Sequence, residues 1–181
     1  GDLLLVSELE AGWYRYKSEW RFTQNGVIQP RFGFAGIANS CICQVHHHHV
    51  YWRFHFASGV ASGSHVEQVE DTSEGAGAGV EHLRYETRRQ ISRQTNRYWR
   101  IRATDAGQGH ALIPGTNDGS SDPTFGVGDV WCLRYHPEER DDYQDSFDSE
   151  GVVTDPDLAR AHIDFYNNGE AIDGQEVVVW Y

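Results

Sequence analysis

Several residue types are rare or missing in this chain, and each absence narrows what the protein can be. The 181 residues contain no methionine and a single lysine, Lys17. Because the chain also begins at Gly1, we expect a processed product or a piece of something longer. No apolar stretch approaches the roughly 20 residues of a membrane span. The net charge is −12, opposite to the balance of nucleic-acid binders. We therefore expect that the protein does not bind nucleic acid and has no membrane span.

Cysteine is also scarce, with only Cys41, Cys43 and Cys132. The first two fall on one face of a predicted strand, about 6.6 Å apart by strand rise, so a direct bridge between them would be strained. A bridge from either one to Cys132 is the expected disulfide. Such a bridge would indicate an extracytoplasmic or secreted protein.

What the chain does have is aromatic residues, at 13%, and 19 glycines, which favour strands and turns over a helical bundle. Alternating patterns predict strands over 19–24, 27–37, 42–56, 65–69, 98–103, 129–135 and 176–181. Asn25-Gly26 predicts a hairpin turn. We predict an all-β fold, an antiparallel β-sandwich with long loops and one short helix near 155–167. Residues 1–181 are expected to form a single domain.

Four consecutive histidines lie within the predicted strand 42–56. Side chains alternate along a strand, so His46 and His48 share one face while His47 and His49 share the other. Two imidazoles at positions i and i+2 supply two ligands for copper, zinc, iron or nickel. Hydrogen-bonded histidines on a sheet are the alternative interpretation. The pattern predicts a metal site at His46 and His48.

Four segments in series resemble the catalytic domain of the copper amine oxidases. Residues 13–20 are similar to the family's Asn-Tyr-Asp/Glu-Tyr-x-x-Glu-Trp motif, and 46–53 to its His-x-His strand with a later Arg. Residues 97–115 resemble its Trp-x-Ile strand and Gly-x-x-Leu-x-Pro-Gly segment. Residues 176–181 resemble its Asp-Ile-Val-Leu-Trp strand.

The resemblance implies a copper-dependent oxidation of primary amines to aldehyde, ammonia and peroxide. It places copper on His46 and His48, and it makes Tyr14 the precursor of the trihydroxyphenylalanine quinone cofactor. Members of the family are homodimers, so we expect self-association as a homodimer or larger assembly. The strand 176–181 is the edge that we expect to pair with another copy.

The chain departs from the family pattern at several positions. The third copper ligand and the catalytic aspartate have no counterpart in the 181 residues. Trp13 and Arg15 flank Tyr14 where the family has asparagine and an acidic residue. His55 and Ala57 replace the first two ligands of the family's calcium-type site, so we expect that site to be lost. A third copper ligand would have to be chosen among His55, His82, His110, His136 and His162.

Three interpretations of function remain open on the sequence. The first is a copper- and quinone-dependent amine oxidase that uses Tyr14, His46 and His48. The second is a non-catalytic structural or assembly module that kept the fold, with or without a His-bound metal. The third is a histidine-rich binder in which 46–49 and His55 hold zinc or copper.

Overall fold

The computed structural model describes residues 1–36, 50–56, 63–71, 78–103, 109–116, 118, 129–139 and 163–181. These residues form eleven strands: β1 (Leu3–Ala11), β2 (Tyr14–Phe22), β3 (Ile28–Gly36), β4 (Arg53–Phe56), β5 (Ser64–Asp71), β6 (Ala78–Leu83), β7 (Thr87–Arg89), β8 (Tyr98–Ala103), β9 (Gly109–Leu112), β10 (Val130–Arg134) and β11 (Val177–Trp180). One short helix, α1 (163–166), completes the described structure. The predicted all-β fold is confirmed. The chain divides into two compact units, Gly1–Val50 and Tyr51–Tyr181, and its assignment to one domain stays a prediction.

The first unit contains a three-stranded antiparallel sheet in the order β1-β2-β3, called sheet 1. The predicted hairpin at Asn25-Gly26 connects β2 to β3, and Gly26 has a φ of 85°, a conformation that favours glycine. The turn is closed by Thr23, whose backbone N–H donates to the carbonyl of Val27 at 2.9 Å. Strand β1 was not predicted from the sequence. It pairs with β2 along its whole length, from Leu3 opposite Phe22 to Ala11 opposite Tyr14.

The second unit contains two four-stranded antiparallel sheets. Sheet 2 has the order β4-β11-β10-β7, and sheet 3 has the order β6-β5-β8-β9. A buried cluster joins the two sheets: Val66, Leu83, Trp99, Ile101, Val130, Cys132, Ile172, Val177 and Val179. Because residues of both sheets meet in one core, this unit is a β-sandwich.

The opposite face of sheet 2 is buried as well. Trp131 and Leu133 of β10 and Val178 of β11 alternate with the residues that face sheet 3, and they pack against Ile163 of α1. The helix is fixed by Asp164, which accepts a hydrogen bond from Trp131 Nε1 at 2.8 Å. It covers part of the predicted helix near 155–167, of which 155–162 lie outside the described residues.

The prediction that 176–181 is a free edge is wrong. Strand β11 is central, because Val177 pairs with Phe56 of β4 on one side and with Arg134 of β10 on the other. An uninterrupted valine run is typical of a strand buried on both faces. Of the predicted strand 42–56, residues 42–49 lie outside the described residues, 50–52 are not in strand conformation, and Arg53–Phe56 form β4. Trp52 nevertheless exchanges two backbone hydrogen bonds with Tyr181, at 2.7 and 2.9 Å.

The expected disulfide to Cys132 is not formed. Cys132 is a free thiol with 0% of its surface exposed, and it lies among the valines and Trp99 of the sandwich core. Burial raises the pKa of this thiol to about 12, against a smaller opposing effect of Arg89. Its expected partners, Cys41 and Cys43, lie outside the described residues.

Within the described part of the chain, no helix is both long enough and apolar enough to span a membrane.

Candidate functional site

Tyr14, the position of the quinone precursor, begins β2 and is half-buried. Its ring stacks on Tyr16 at 5.8 Å between centroids and meets the edge of Phe34 at 6.4 Å. Gly36 lies directly opposite on β3, and a Cβ there would come within 3.0 Å of the Tyr14 ring. Tyr14 therefore packs in an aromatic cluster on one face of sheet 1. His46 and His48 lie outside the described residues.

Trp13 and Arg15, which flank Tyr14 and differ from the family pattern, both lie at the surface. Trp13 is exposed in the turn between β1 and β2. Arg15 points to the surface, where its Nη2 forms an ion pair with Glu10 at 3.0 Å.

His55 and Glu176 form a pair where the resemblance places the family's calcium-type site. His55 Nε2 lies 3.6 Å from Glu176 Oε2, and its ring stacks on Tyr135 at 3.6 Å with an interplanar angle of 11°. Calcium is held by several oxygen ligands, whereas this position offers an imidazole packed against a phenol ring. The loss of that site stays a prediction.

Two of the other candidates for a third copper ligand, His136 and His110, contact nearby side chains. His136 Nε2 is 2.8 Å from Glu170 Oε2. This hydrogen bond raises the pKa of His136, despite some desolvation, and lowers the pKa of Glu170. The ring of His110 lies 5.4 Å from Phe56. His162 lies outside the described residues.

The fifth histidine in that set, His82, belongs to a cluster that the sequence did not reveal. His65, His82 and Asp173 each place one ligand atom, a ring nitrogen or a carboxylate oxygen, within 4.8 Å of the other two. Asp173 Oδ1 is hydrogen-bonded to His65 Nδ1, and it lies 3.0 Å from His82 Nε2. The two rings meet edge to face, with centroids 5.2 Å apart. In the described part of the chain, this is the one group of three or more metal-ligating side chains.

Strand register brings the two imidazoles together. His82 on β6 pairs with Glu67 on β5, so His82 and His65 are diagonal neighbours. Ser64 and Val66 on either side of His65 are buried, which turns His65 to the outer face of sheet 3. Diagonal neighbours on one face are close enough for long side chains to meet.

Backbone contacts fix the position of Asp173. Its N–H and that of Ile172 both donate to the carbonyl of Arg84, and Gly174 N–H donates to the carbonyl of Ser64 at 2.9 Å. Gly63 completes this junction, because a Cβ there would lie 2.0 Å from the carbonyl oxygen of Gly174. Asp173 is therefore held against both β5 and the end of β6.

A buried carboxylate organises the segment that leads to Asp173. Glu86 accepts backbone hydrogen bonds from Asn168 at 2.8 Å, Gly169 at 3.0 Å and Glu170 at 3.3 Å through one oxygen. Its other oxygen accepts from the N–H of Arg134 at 3.0 Å. These bonds connect the segment to β10 and to Glu86, the residue directly before β7.

The electrostatics of the cluster favour a charged carboxylate. Burial opposes ionisation of Asp173, but hydrogen bonds and charge from His65 and His82 outweigh it, so the pKa of the carboxyl lies below its usual value. The exposed fractions of the side chains are 35% for His65, 40% for His82 and 37% for Asp173. An ionised carboxylate beside two solvent-accessible imidazoles is a donor set suited to a transition-metal ion.

The sequence indicates only part of this cluster. His82 was considered as a metal ligand, while His65 was predicted only as part of a strand. A signal for both existed, since each histidine lies in an alternating strand pattern. Nothing in the sequence around Asp173 indicates that it meets these two residues.

The fold and the cluster together define an antiparallel β-sandwich that carries a histidine–carboxylate site on its outer face. No protein-family model and no curated protein matches the chain. Among solved structures, the chain is similar to a copper-containing benzylamine oxidase from Hansenula polymorpha, with a TM-score of 0.66 and 15% sequence identity. The likeness covers 99% of this chain and 34% of that protein. The chain therefore shares the fold of about a third of that oxidase.

Proposed function

We propose that this chain is a copper-binding β-sandwich built on the fold of the amine oxidase catalytic domain, with copper held by His46 and His48. One observation carries the proposal: the fold is similar to that of a copper-containing amine oxidase over 99% of the chain. The His-x-His motif supports it, because two imidazoles on one face of the predicted strand would be good copper ligands. Self-association belongs to the same proposal by resemblance. An extracytoplasmic location is proposed with it, although the disulfide that first indicated that location is not formed.

Catalysis would need more than copper. Together with a quinone at Tyr14, copper would supply the oxidation of a primary amine by dioxygen, which consumes one water and yields aldehyde, ammonia and hydrogen peroxide. The contacts of Tyr14 do not fit that role well. Its ring rests on Gly36 beside Tyr16 and Phe34, an arrangement that suits a packing residue better than a ring that must turn.

The packing of Tyr14 favours a second candidate function, a non-catalytic structural or assembly module of the same fold. In such a module the metal, if bound, would stabilise the scaffold without oxidising an amine. The His55–Glu176 pair agrees with this function, because it replaces an oxygen-rich cation site with a local side-chain contact.

Copper stoichiometry tests the binding proposal. Purified protein would be dialysed against Cu²⁺ and its metal content measured for three chains: the wild type, His46→Ala/His48→Ala, and the matched control His47→Ala/His49→Ala. We expect the first double variant to lose one equivalent of copper and the control to keep it. Equal copper contents in the two double variants would refute the assignment. His65, His82 and Asp173 are unchanged in all three chains, so their contribution cancels.

A second measurement separates the two candidate functions. After aerobic incubation with copper, a broad visible absorption band that reacts with phenylhydrazine and disappears in Tyr14→Phe would establish cofactor formation and an oxidase. Bound copper without such a band would support the non-catalytic module.

A further inference from the structure

We propose that His65, His82 and Asp173 form a metal site of their own, which binds one divalent ion such as zinc. The nitrogens that face Asp173 Oδ1 are His65 Nδ1 and His82 Nε2, so we assign these two atoms and a carboxylate oxygen of Asp173 as the ligands. None of the three ligands belongs to the histidine run at 46–49, and the proposal does not depend on copper binding there.

The ligand chemistry selects the class of ion. Two imidazole nitrogens and one carboxylate oxygen suit zinc, copper, iron or nickel, whereas calcium and magnesium require mainly oxygen ligands. Glu67, which pairs with His82 across the sheet, forms an ion pair with Arg100 at 3.0 Å. Its carboxylate is therefore already engaged beside the site. Three protein ligands with a solvent-facing side match a zinc site that keeps one position for water or substrate.

The geometry requires only side-chain movement to admit an ion. Zinc bonds of about 2.0–2.1 Å to nitrogen and oxygen place tetrahedral ligands about 3.3 Å apart. The three ligand atoms already lie within 4.8 Å of one another. Asp173 Oδ1 now occupies the space between the imidazoles, so a rotation of that carboxylate would make room for the ion. The backbones of β5 and β6 are held by strand pairing.

A bound ion would cross-link two parts of the sandwich. His65 and His82 belong to sheet 3, whereas Asp173 lies four residues before Val177, the start of the central strand of sheet 2. Metal binding to the native state alone stabilises it in proportion to the logarithm of metal concentration. Zn²⁺ should therefore raise the unfolding temperature of this protein, with no conformational change beyond the ligand side chains.

Zinc titration tests the site in isolation. Zn²⁺ would be titrated calorimetrically into a variant whose four histidines at 46–49 are all alanine, with circular dichroism to confirm the fold. In this background, His82→Ala and Asp173→Asn are compared with His136→Ala. The last variant is the matched control, because it removes a histidine from another histidine–carboxylate pair.

The expected result is one equivalent of Zn²⁺, with affinity lowered by at least about tenfold in His82→Ala and in Asp173→Asn and unchanged in His136→Ala. Equal affinities in all three variants, or no binding in the background chain, would overturn the proposal. Because the background has alanine in place of the four histidines at 46–49, zinc binding there cannot arise from the proposed copper ligands. Failure of the copper proposal and failure of this one are therefore distinguishable.

Nuclear magnetic resonance of the imidazole nitrogens in the wild-type chain gives a second test that does not depend on the stability of any variant. On addition of Zn²⁺, His65 should coordinate through Nδ1 and His82 through Nε2, and each would then carry its proton on the other ring nitrogen. Unchanged nitrogen shifts of these two residues in excess Zn²⁺ would show that the cluster is only a hydrogen-bonded group.

Discussion

Replacing Glu86 with glutamine removes the charge of the carboxylate that holds the segment before Asp173. Glu86 is only 7% exposed, and its two oxygens accept four backbone hydrogen bonds, three of them from 168–170 and one from Arg134. Glutamine has nearly the same shape but offers one acceptor oxygen and an NH₂ group. Whichever way the amide is oriented, at least one buried N–H then faces another donor.

The magnitude follows from those bonds. A buried donor left without an acceptor costs about 1–3 kcal/mol, and hydrogen bonds to a charged group are roughly twice as strong as neutral ones. We therefore expect Glu86→Gln to lower the free energy of unfolding by about 2–3 kcal/mol. The loss should be accompanied by faster amide hydrogen exchange at Asn168 and Gly169, because these two groups lose their charged acceptor.

The assay is urea denaturation followed by tryptophan fluorescence. The matched control is Glu81→Gln, the same substitution on β6, where the carboxylate meets Arg89 at the surface and such pairs contribute about 0–1 kcal/mol. A difference between the two variants below about 0.5 kcal/mol, the range of ordinary surface substitutions, would refute the role assigned to Glu86.

Three further predictions follow from the described contacts. The pKa of His136 is raised above 6.5 by its hydrogen bond to Glu170, whose own pKa is lowered below 4.5. The stabilisation from His136 is therefore complete below pH 6.5 and lost as pH rises through its folded pKa. The stabilisation from Glu170 is present above pH 4.5 and is lost as the pH falls through the folded pKa of Glu170. Urea midpoints across pH should show both losses, and Glu170→Gln should reduce them; a profile unchanged by the substitution would contradict this. Cys132, with a pKa of about 12 and no exposure, should resist a thiol reagent at pH 8 until urea unfolds a Cys41→Ser/Cys43→Ser chain, and rapid labelling of the folded chain would disprove its burial. At Gly63 φ is +69° and an added Cβ would clash with the backbone of Gly174. Gly63→Ala should therefore lower the free energy of unfolding, measured by urea denaturation, by at least about 1 kcal/mol. An unchanged urea midpoint would show that the backbone at Gly63 and Gly174 adjusts without cost.

Local patterns in the sequence were sufficient for much of the fold. Strand β8 is predicted and observed at Tyr98–Ala103, because Trp99 and Ile101 alternate with charged residues and each face has a clear environment. The Asn25-Gly26 turn also follows from local conformational preference. Strand β1 was missed because its residues are exposed in every position, so no buried face imposes an alternating pattern. Its strand conformation comes from pairing with β2.

The candidate site divides in the same way. The sequence by itself determined that the chain is all-β and that histidines on strands could bind a metal. Only the tertiary structure decided that β11 is central, and that Asp173 meets His65 and His82 across 108 and 91 residues of chain. The physical reason is that local preferences fix the conformation of a segment but not its neighbours. Strand register and the backbone contacts of 168–175 are long-range pairings, and they alone bring these three side chains together.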